Sequence, residues 1–350
     1  MDVELAEVQD SIAAVLAEEC QSLAVHGFID GRDPLDQRLL RLAAELGWLA
    51  IAIPEDQGGL GLGAAGLAML HFELGRAAAP GQLLETSIAL EVMARSEAAR
   101  DERIARLLAD VLAGKTTLAI AAEPARAAGD RLVLLGSRDA AAALVAGDND
   151  DLVLVDLSSA GAESIAVWDE TRSLVAIDPA RAPALAVLAG ARPLFEALFA
   201  IALAADSAGA ARGTLDRTVA YMKEREQFGR PIGSFQALKH RAADHLVAAI
   251  AAEQLVWQAV DNAARADRGS VVWAAMAKAN GSDAAVRIAG DCVQLHGGVG
   301  FTREYDPQLF LKRVRLNETL LAPNGELRDR AERAFGEALR SGQDVLEIAS

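Results

Sequence analysis

Apolar residues recur at three- and four-residue spacing through most of residues 1–112, in "VQDSIAAVLAEEC", "PLDQRLLRLAAELGW", "LAMLHFELGR" and "ARDERIARLLADVLAG". That spacing lines up the apolar side chains on one face of a helix and predicts a run of packed helices. Between them, Pro54 and five glycines from Gly58 to Gly66 in "IPEDQGGLGLGAAG" forbid a regular helix and predict a tight surface loop. Over residues 115–187 the period shortens: "TTLAIAAE", "RLVLLG", "AAALVAG", "DLVLVDL" and "SLVAIDP" are short apolar runs punctuated by Gly, Asp and Pro, the pattern of a small sheet. Helical spacing returns at Pro193, where "PLFEALFAIALAADSAGAARGTLDRTVAYMKE" offers some thirty residues, roughly 45 Å of helix at about 1.5 Å per residue. A second helix is expected after Ser234, read as its N-cap, with Phe235, Leu238, Ala242, Leu246 and Ala249 along one face. A third is expected over 270–295, with shorter ones after Tyr305 and Asn324. The fold class is therefore mainly α with a small β domain. Its parts are an N-terminal helical domain over 1–112, a small β domain over 113–188 and a C-terminal helical-bundle domain over 189–350.

Composition narrows the function. At 350 residues and 52% hydrophobic content, the chain can bury a large core. Lys and Arg total 34 against 50 acidic residues, a formal charge of -16, so phosphate repulsion excludes nucleic acid as an expected partner. Apolar runs such as "LAIAIP" at 49–54 fall far short of the roughly 20 residues a bilayer span requires, so no membrane is expected. The acidic start "MDVELAEVQD" lacks a signal-peptide layout, which leaves a cytoplasmic location as the expectation. Cys20 and Cys292 stand outside any metal-ligand spacing and read as small buried hydrophobes. His240 and His245, at i and i+5, miss the i, i+4 spacing of a helical metal pair; no metal is expected. His71 reads as a satisfied core histidine, while His296 stands beside glycines.

Two stretches carry candidate chemistry. "REQFGRPIGSFQ", at 225–236, joins two helical patterns, and Pro231 and Gly233 turn the chain. Arg225 offers a planar fork for phosphate or carboxylate, Gln227 and Gln236 offer amides, and Phe228 offers a flat apolar surface. The set suits a charged, partly aromatic ligand; equally, Arg225 can pair with a nearby Glu while Phe228 plugs the core. "DCVQLHGGVGFTREY", at 291–305, ends a helix with Gly297, Gly298 and Gly300 and exposes backbone amides, although by itself a Gly-Gly is mostly a helix stop. The glycines at 58–66 have neither a preceding βαβ context nor a following Lys-Ser/Thr, and read as a structural turn.

Together, "YMKEREQFGRPIGSFQALKHRAADHL" and "QLHGGVGFTREYDPQLFLKR", about seventy residues apart, closely resemble the two signatures of the acyl-CoA dehydrogenase family. "LGWLAIAIPEDQGGLGLG" resembles that family's N-terminal stretch, and the order of helices, sheet and bundle also matches, so the resemblance covers essentially the whole chain. It implies the acyl-CoA dehydrogenase fold, with an N-terminal helical domain, a central β domain and a C-terminal four-helix bundle. It also implies FAD held between subunits, α,β-desaturation of an acyl-CoA thioester and an electron-transfer flavoprotein as acceptor. In such chemistry the flavin takes the β-hydrogen as hydride and a carboxylate removes the α-proton. By the same resemblance Arg225 and Gln227 contact the FAD pyrophosphate, and Phe228 and Gln236 serve as adenosine-side and nearby contacts. Gln294, Gly297 and Gly298 reach the cofactor through an amide and the main chain.

The resemblance has gaps. At the two places where family members carry the base, this chain has Leu321 and Phe199. Glu318 and Glu196 each stand one turn away from these places and either could substitute, but no catalytic residue is assigned. The family's Thr-Glu-Pro appears as Ala122, Glu123 and Pro124; the β domain is short, and "LLGSRDAAAALVAG" replaces the usual Lys-x-Trp stretch. Trp168 either stacks on a ring or packs in a strand. The cofactor-reaching half is kept and the base-bearing half eroded, which resembles the short, base-deficient subunit of heterotetrameric, steroid-type members. A longer paralogous subunit would then complete an α2β2 assembly. The alternatives are a self-sufficient homotetramer using Glu196 or Glu318, and a non-catalytic flavin-binding scaffold. "NGELRDRAERAFGEAL" reads as an exposed amphipathic helix able to cover a partner subunit.

Overall fold

The computed structural model describes residues 3–123, 131–263 and 268–342. Six helices come first: α1 (Val3–Glu19), α2 (Ser22–Ile29), α3 (Leu35–Glu45), α4 (Gly63–Arg76), α5 (Leu83–Ala94) and α6 (Glu102–Leu112). A sheet follows from β1 (Leu118–Ala121), β2 (Leu132–Leu135), β3 (Ala142–Ala146), β4 (Leu152–Asp156), β5 (Glu163–Ile165), β6 (Leu174–Ile177) and β7 (Ala184–Leu188). The chain then enters α7 (Arg192–Glu224), a short ribbon of β8 (Glu226–Gln227) and β9 (Arg230–Pro231), α8 (Gln236–Ala263), α9 (Arg268–His296), α10 (Pro307–Thr319) and α11 (Asn324–Ser341).

The sheet order is β5-β6-β2-β1-β3-β4-β7, with β1 and β3 parallel and the other neighbours antiparallel. All four residues of β1 are buried, and the Thr86 hydroxyl on α5 bridges to the backbone of Leu118 at 3.3 Å, tying the sheet to the N-terminal helices. The glycine-rich loop is shorter than its sequence implies. Gly63 opens α4 and Gly66 lies inside it against Ile51, because the apolar run from Leu67 onward propagates the helix backward. Leu246, expected on the buried face of α8, is 38% exposed, so the first half of that helix keeps an apolar side in the open.

Helix α7 is the axis of the fold. It is the one described helix long and apolar enough to cross a membrane by length and composition, yet its apolar stretch is 89% buried within the protein. A search for unbroken apolar runs overlooks it, because Asp206, Ser207 and Arg212 interrupt the alanines. Helix α4 crosses α7 with the two backbones in contact. A Cβ added at Gly209 would sit 1.8 Å from the Phe72 carbonyl oxygen, and one at Gly75 would sit 2.1 Å from that of Asp206.

At this crossing lies a buried charge cluster. Arg313 from α10 donates to Asp206 through Nε at 3.0 Å and Nη2 at 2.6 Å, and through Nη1 to the Ala79 carbonyl at 2.8 Å and the Thr171 hydroxyl at 3.0 Å. Asn317 donates to Asp206 at 2.7 Å, and Arg172, from the turn between β5 and β6, places Nη2 2.8 Å from the same carboxylate. Burial alone would raise the Asp206 pKa, but Arg172 and Arg313 outweigh it and hold the carboxyl well below its usual range. His71 is buried beside the cluster. Its Nε2 lies 3.0 Å from the Ser87 hydroxyl, while Nδ1 has no partner among the described residues, so it is half satisfied; burial pushes its pKa down to about 3. Glu85, 1% exposed on α5, is pushed up to about 7 by burial, which Arg172 and Arg313 only partly oppose.

Two outcomes follow for stability. Gly209→Ala forces α4 and α7 apart and lowers the unfolding free energy by roughly 1–3 kcal/mol, read as a fall in the urea midpoint; Gly290→Ala, with open space around it, leaves the midpoint unchanged or higher. Glu85 binds its proton more tightly in the folded state, so its contribution is complete below the ordinary value of 4.5 and is lost as pH rises through about 7. Glu85→Gln should therefore flatten stability across that window and stabilise the protein at pH ~8, by on the order of 1–3 kcal/mol, with little effect at pH ~4.

Candidate functional site

Helix α7 ends where the Arg225 N–H bonds the Tyr221 carbonyl at 2.8 Å and its ψ swings to 119°. β8 and β9 then pair Glu226 with Pro231 and Gln227 with Arg230, and the Ile232 N–H closes the loop on the Arg225 carbonyl at 2.8 Å. This register leaves Phe228 and Gly229 as a two-residue turn, both left-handed at φ 55° and 76°. That is the primed hairpin geometry, natural for Gly and strained for Phe. The Phe228 ring is 92% exposed, so it does not plug the core. It meets the Phe235 ring edge-on at 6.1 Å, and the Arg230 guanidinium lies over Phe235 at 4.1 Å. Gln227 folds its amide onto the Glu226 carbonyl at 2.7 Å, and Gln236 opens α8 exposed. Ser234 does not cap that helix: it sits in a 3-10 turn and its hydroxyl has no partner among the described residues.

The second stretch meets the first at this end of the bundle. In the last turn of α9, Gln294 is exposed. The His296 ring, 7% exposed, stacks on Tyr221 at 4.3 Å and 20°. Gly297 turns left-handed at φ 66°, ending α9, and both Gly297 and Gly298 are exposed. A Cβ at Gly298 would meet nothing among the described residues, and its φ is not left-handed, so their packing does not require glycine there. Glycine leaves the backbone approachable from outside. The structure thus brings Arg225, Gln227, Phe228 and Gln236 to the same end as Gln294, Gly297 and Gly298, on a surface that opens away from the chain.

Charge distinguishes this end. Residues 223–241 hold Lys223, Arg225, Arg230, Lys239 and Arg241 against Glu224 and Glu226, in a chain of net charge -16. Arg241 pairs with Asp291, which also meets His245 Nε2 at 2.6 Å. Among the described residues neither Arg225 nor Arg230 has a carboxylate within ion-pair distance, so Arg225 is not the structural ion pair that its surroundings in sequence allow. An acidic protein that leaves cations unpaired at one end concentrates anions there.

The base positions are closed. Phe199 is fully buried, and Leu321 is 5% exposed at φ 69°, its N–H bonded to the Ala122 carbonyl at 2.8 Å. Glu196 lies 3.5 Å from Arg330 and lines, with Leu321, a cavity of about 40 Å³, too small for an acyl thioester. Burial raises the Glu196 pKa. Glu318 pairs with Arg315 at 3.0 Å. Sequence reasoning missed Lys278, which holds this loop: its fully buried ammonium donates to the carbonyls of Glu318 and Ala322 at 2.8 Å each and to Asn324 Oδ1 at 2.9 Å. Burial lowers its pKa to about 8. The available signal was a lysine in register with Ala274, Ala277 and Ala285 on the apolar face of α9. Trp168 stands between β5 and β6, 83% exposed, neither in a strand nor packed. Pro124 and the rest of the stretch after Glu123 lie outside the described residues.

Comparison with known proteins identifies the family and the fold. Residues 2–115 match the acyl-CoA dehydrogenase N-terminal domain and residues 198–325 the acyl-CoA dehydrogenase C-terminal domain. The chain is 34% identical over 331 residues to the acyl-CoA dehydrogenase FadE34 of Mycobacterium tuberculosis, covering 93% of this chain and 46% of that protein, so it spans about half the length of that relative. It is 33% identical over 326 residues to the acyl-CoA dehydrogenase IpdE2 of Mycolicibacterium smegmatis, covering 93% and 96% of the two. A solved structure of a variant of the Tcur3481-Tcur3483 steroid ACAD superposes with a TM-score of 0.85 at 27% identity, covering 96% of this chain and 99% of that one.

The strained turn has a measurable signature. Replacing Phe228 by Asn, which tolerates left-handed φ, should raise the unfolding free energy by about 1 kcal/mol in chemical denaturation. A fall in stability would mean that the ring contributes more to the fold than its exposure allows.

Proposed function

The chain belongs to the acyl-CoA dehydrogenase family, and we propose that it works as a subunit lending a cofactor half-site to a longer paralogous chain that carries the base. The observation that supports this most directly is the meeting, on one outward-facing end of the bundle, of unpaired cations, exposed amides and an approachable diglycine. FAD, the cofactor of this family, supplies the hydride acceptor for α,β-desaturation of an acyl-CoA thioester.

The residues present fit the dinucleotide half of FAD. Arg225 presents a planar fork to the pyrophosphate, with Gln227 beside it. Phe228, held exposed by its strained turn, offers a face to the adenosine side, and Gln236 lies at the start of the adjoining helix. Gln294 contributes an amide, while Gly297 and Gly298 let the main chain approach closely. The local excess of cations draws the anionic groups toward this end.

Removal of the α-proton is assigned to the partner. Leu321 and Phe199 bring apolar, buried side chains to the expected base positions, and the nearest carboxylates are engaged by Arg330 and Arg315. The resulting assembly is α2β2, with an electron-transfer flavoprotein as acceptor. The likeness to a steroid ACAD supports a steroid-derived acyl-CoA as substrate class.

Co-expression with a longer paralogue should give a yellow, active complex. Arg225→Ala in that complex should weaken FAD binding roughly 10- to 100-fold, the loss expected for a charged hydrogen bond, measured as flavin absorbance retained after dialysis. Glu196→Gln and Glu318→Gln should leave turnover unchanged. A chain that purifies alone with bound flavin and is bleached by an acyl-CoA would overturn the shared-site reading.

A further inference from the structure

We propose that Tyr221 and His296 form a positioning clamp that sets the spacing between the Arg225 hairpin and the Gly297–Gly298 corner; this rests on reading the bundle end as a cofactor half-site. The two loops lie about seventy residues apart in sequence, and each follows the end of a helix, where backbone is least constrained. The aromatic stack joins them directly. Tyr221 and His296 lie nearly parallel with ring centroids 4.3 Å apart, and Tyr305 packs edge-on against both, at 6.4 and 6.3 Å.

Each ring is in turn fixed to the backbone it positions. His296 Nδ1–H donates to the Cys292 carbonyl at 2.8 Å, which sets the ring orientation, and His296 is bonded directly to Gly297. The Tyr221 hydroxyl donates to the His296 carbonyl at 3.4 Å, and the Tyr221 carbonyl accepts the Arg225 N–H at 2.8 Å. Arg225 and Gly297 therefore each stand one short link from the same stack. Burial lowers the His296 pKa, consistent with a neutral ring facing Tyr221. His296 is buried and Tyr221 half-buried, which places the pair to act through Arg225 and the diglycine.

The test is FAD reconstitution of the assembled protein stripped of flavin, with the thermal midpoint of the flavin-free form measured alongside. His296→Ala and Tyr221→Ala should each raise the FAD Kd at least about tenfold, beyond what any fall in the flavin-free midpoint accounts for. His296→Phe and Tyr221→Phe, which keep a flat ring, should restore affinity to within about threefold of the parent. Alanine variants that bind FAD like the parent, or whose affinity falls only in step with flavin-free stability, overturn the clamp and leave the half-site reading intact. A parent assembly that takes up no FAD overturns both.

Discussion

Asp206 is the charge around which the molecule is arranged. A carboxylate with no exposure in the middle of α7 cannot stay ionised alone, and the chain meets that demand from three directions. Arg313 comes from α10, Arg172 from the turn between β5 and β6, and Asn317 from one turn farther along α10. Each recruited group brings contacts of its own. Arg313 also reaches the Ala79 carbonyl in the N-terminal helices and the Thr171 hydroxyl, while Asp169 holds that turn through the Thr171 N–H and hydroxyl at 3.0 and 2.6 Å. Two arginines and two aspartates thereby pin the sheet, the N-terminal helices and the bundle to a common point. Such a cluster orients its parts because each group left without its partner would be a bare buried charge.

The same constraint decides what the end of α10 can offer. With Arg313 and Asn317 fixed on α7, the last carbonyls of α10 fall within reach of Lys278, whose three hydrogen bonds hold the following loop. The loop turns at Leu321 through a left-handed residue and bonds the end of β1. A β-carbon in that conformation is strained, and the strain persists because the lysine and the Ala122 carbonyl determine the path from both sides. The side chain then points into the core, where a leucine fits and a carboxylate would need its own cation. The eroded base position is thus a rigid, packed structure and not a loose remnant.

The opposite end is built on the reverse principle. There the polar groups face outward, Arg225 and Arg230 lack carboxylates among the described residues, and a phenylalanine is held exposed at an unfavourable φ. Within one chain these features are costs without return, since exposed aromatic area and backbone strain both oppose folding. Under the function proposed above, they gain a purpose when a ligand shared with another chain covers them. On the proposed reading, the closed loop at Leu321 and the open end at Arg225 and Gly297 are the two faces of a divided active site.

Much of this was legible in the residues themselves. Three- and four-residue spacing located the long helices, short apolar runs located five of the strands, and "REQFGRPIGSFQ" with "QLHGGVG" marked the two loops that meet. Spacing of this kind reports which face of a local segment is buried, and that is encoded within a few turns of chain. What it could not report was anything settled between distant segments. β5, three residues with little apolar character, exists because β6 offers it an edge. Nothing local to Asp206 or Lys278 marks either as buried; only the arrival of arginines and carbonyls from more than thirty residues away makes their burial tolerable. The left-handed Phe228 was equally hidden, because the hairpin register that imposes it follows from the pairing of β8 with β9. Local periodicity chose the elements, whereas the placement of charge and strain awaited their packing, since both are energies of contacts between elements and not properties of any one of them.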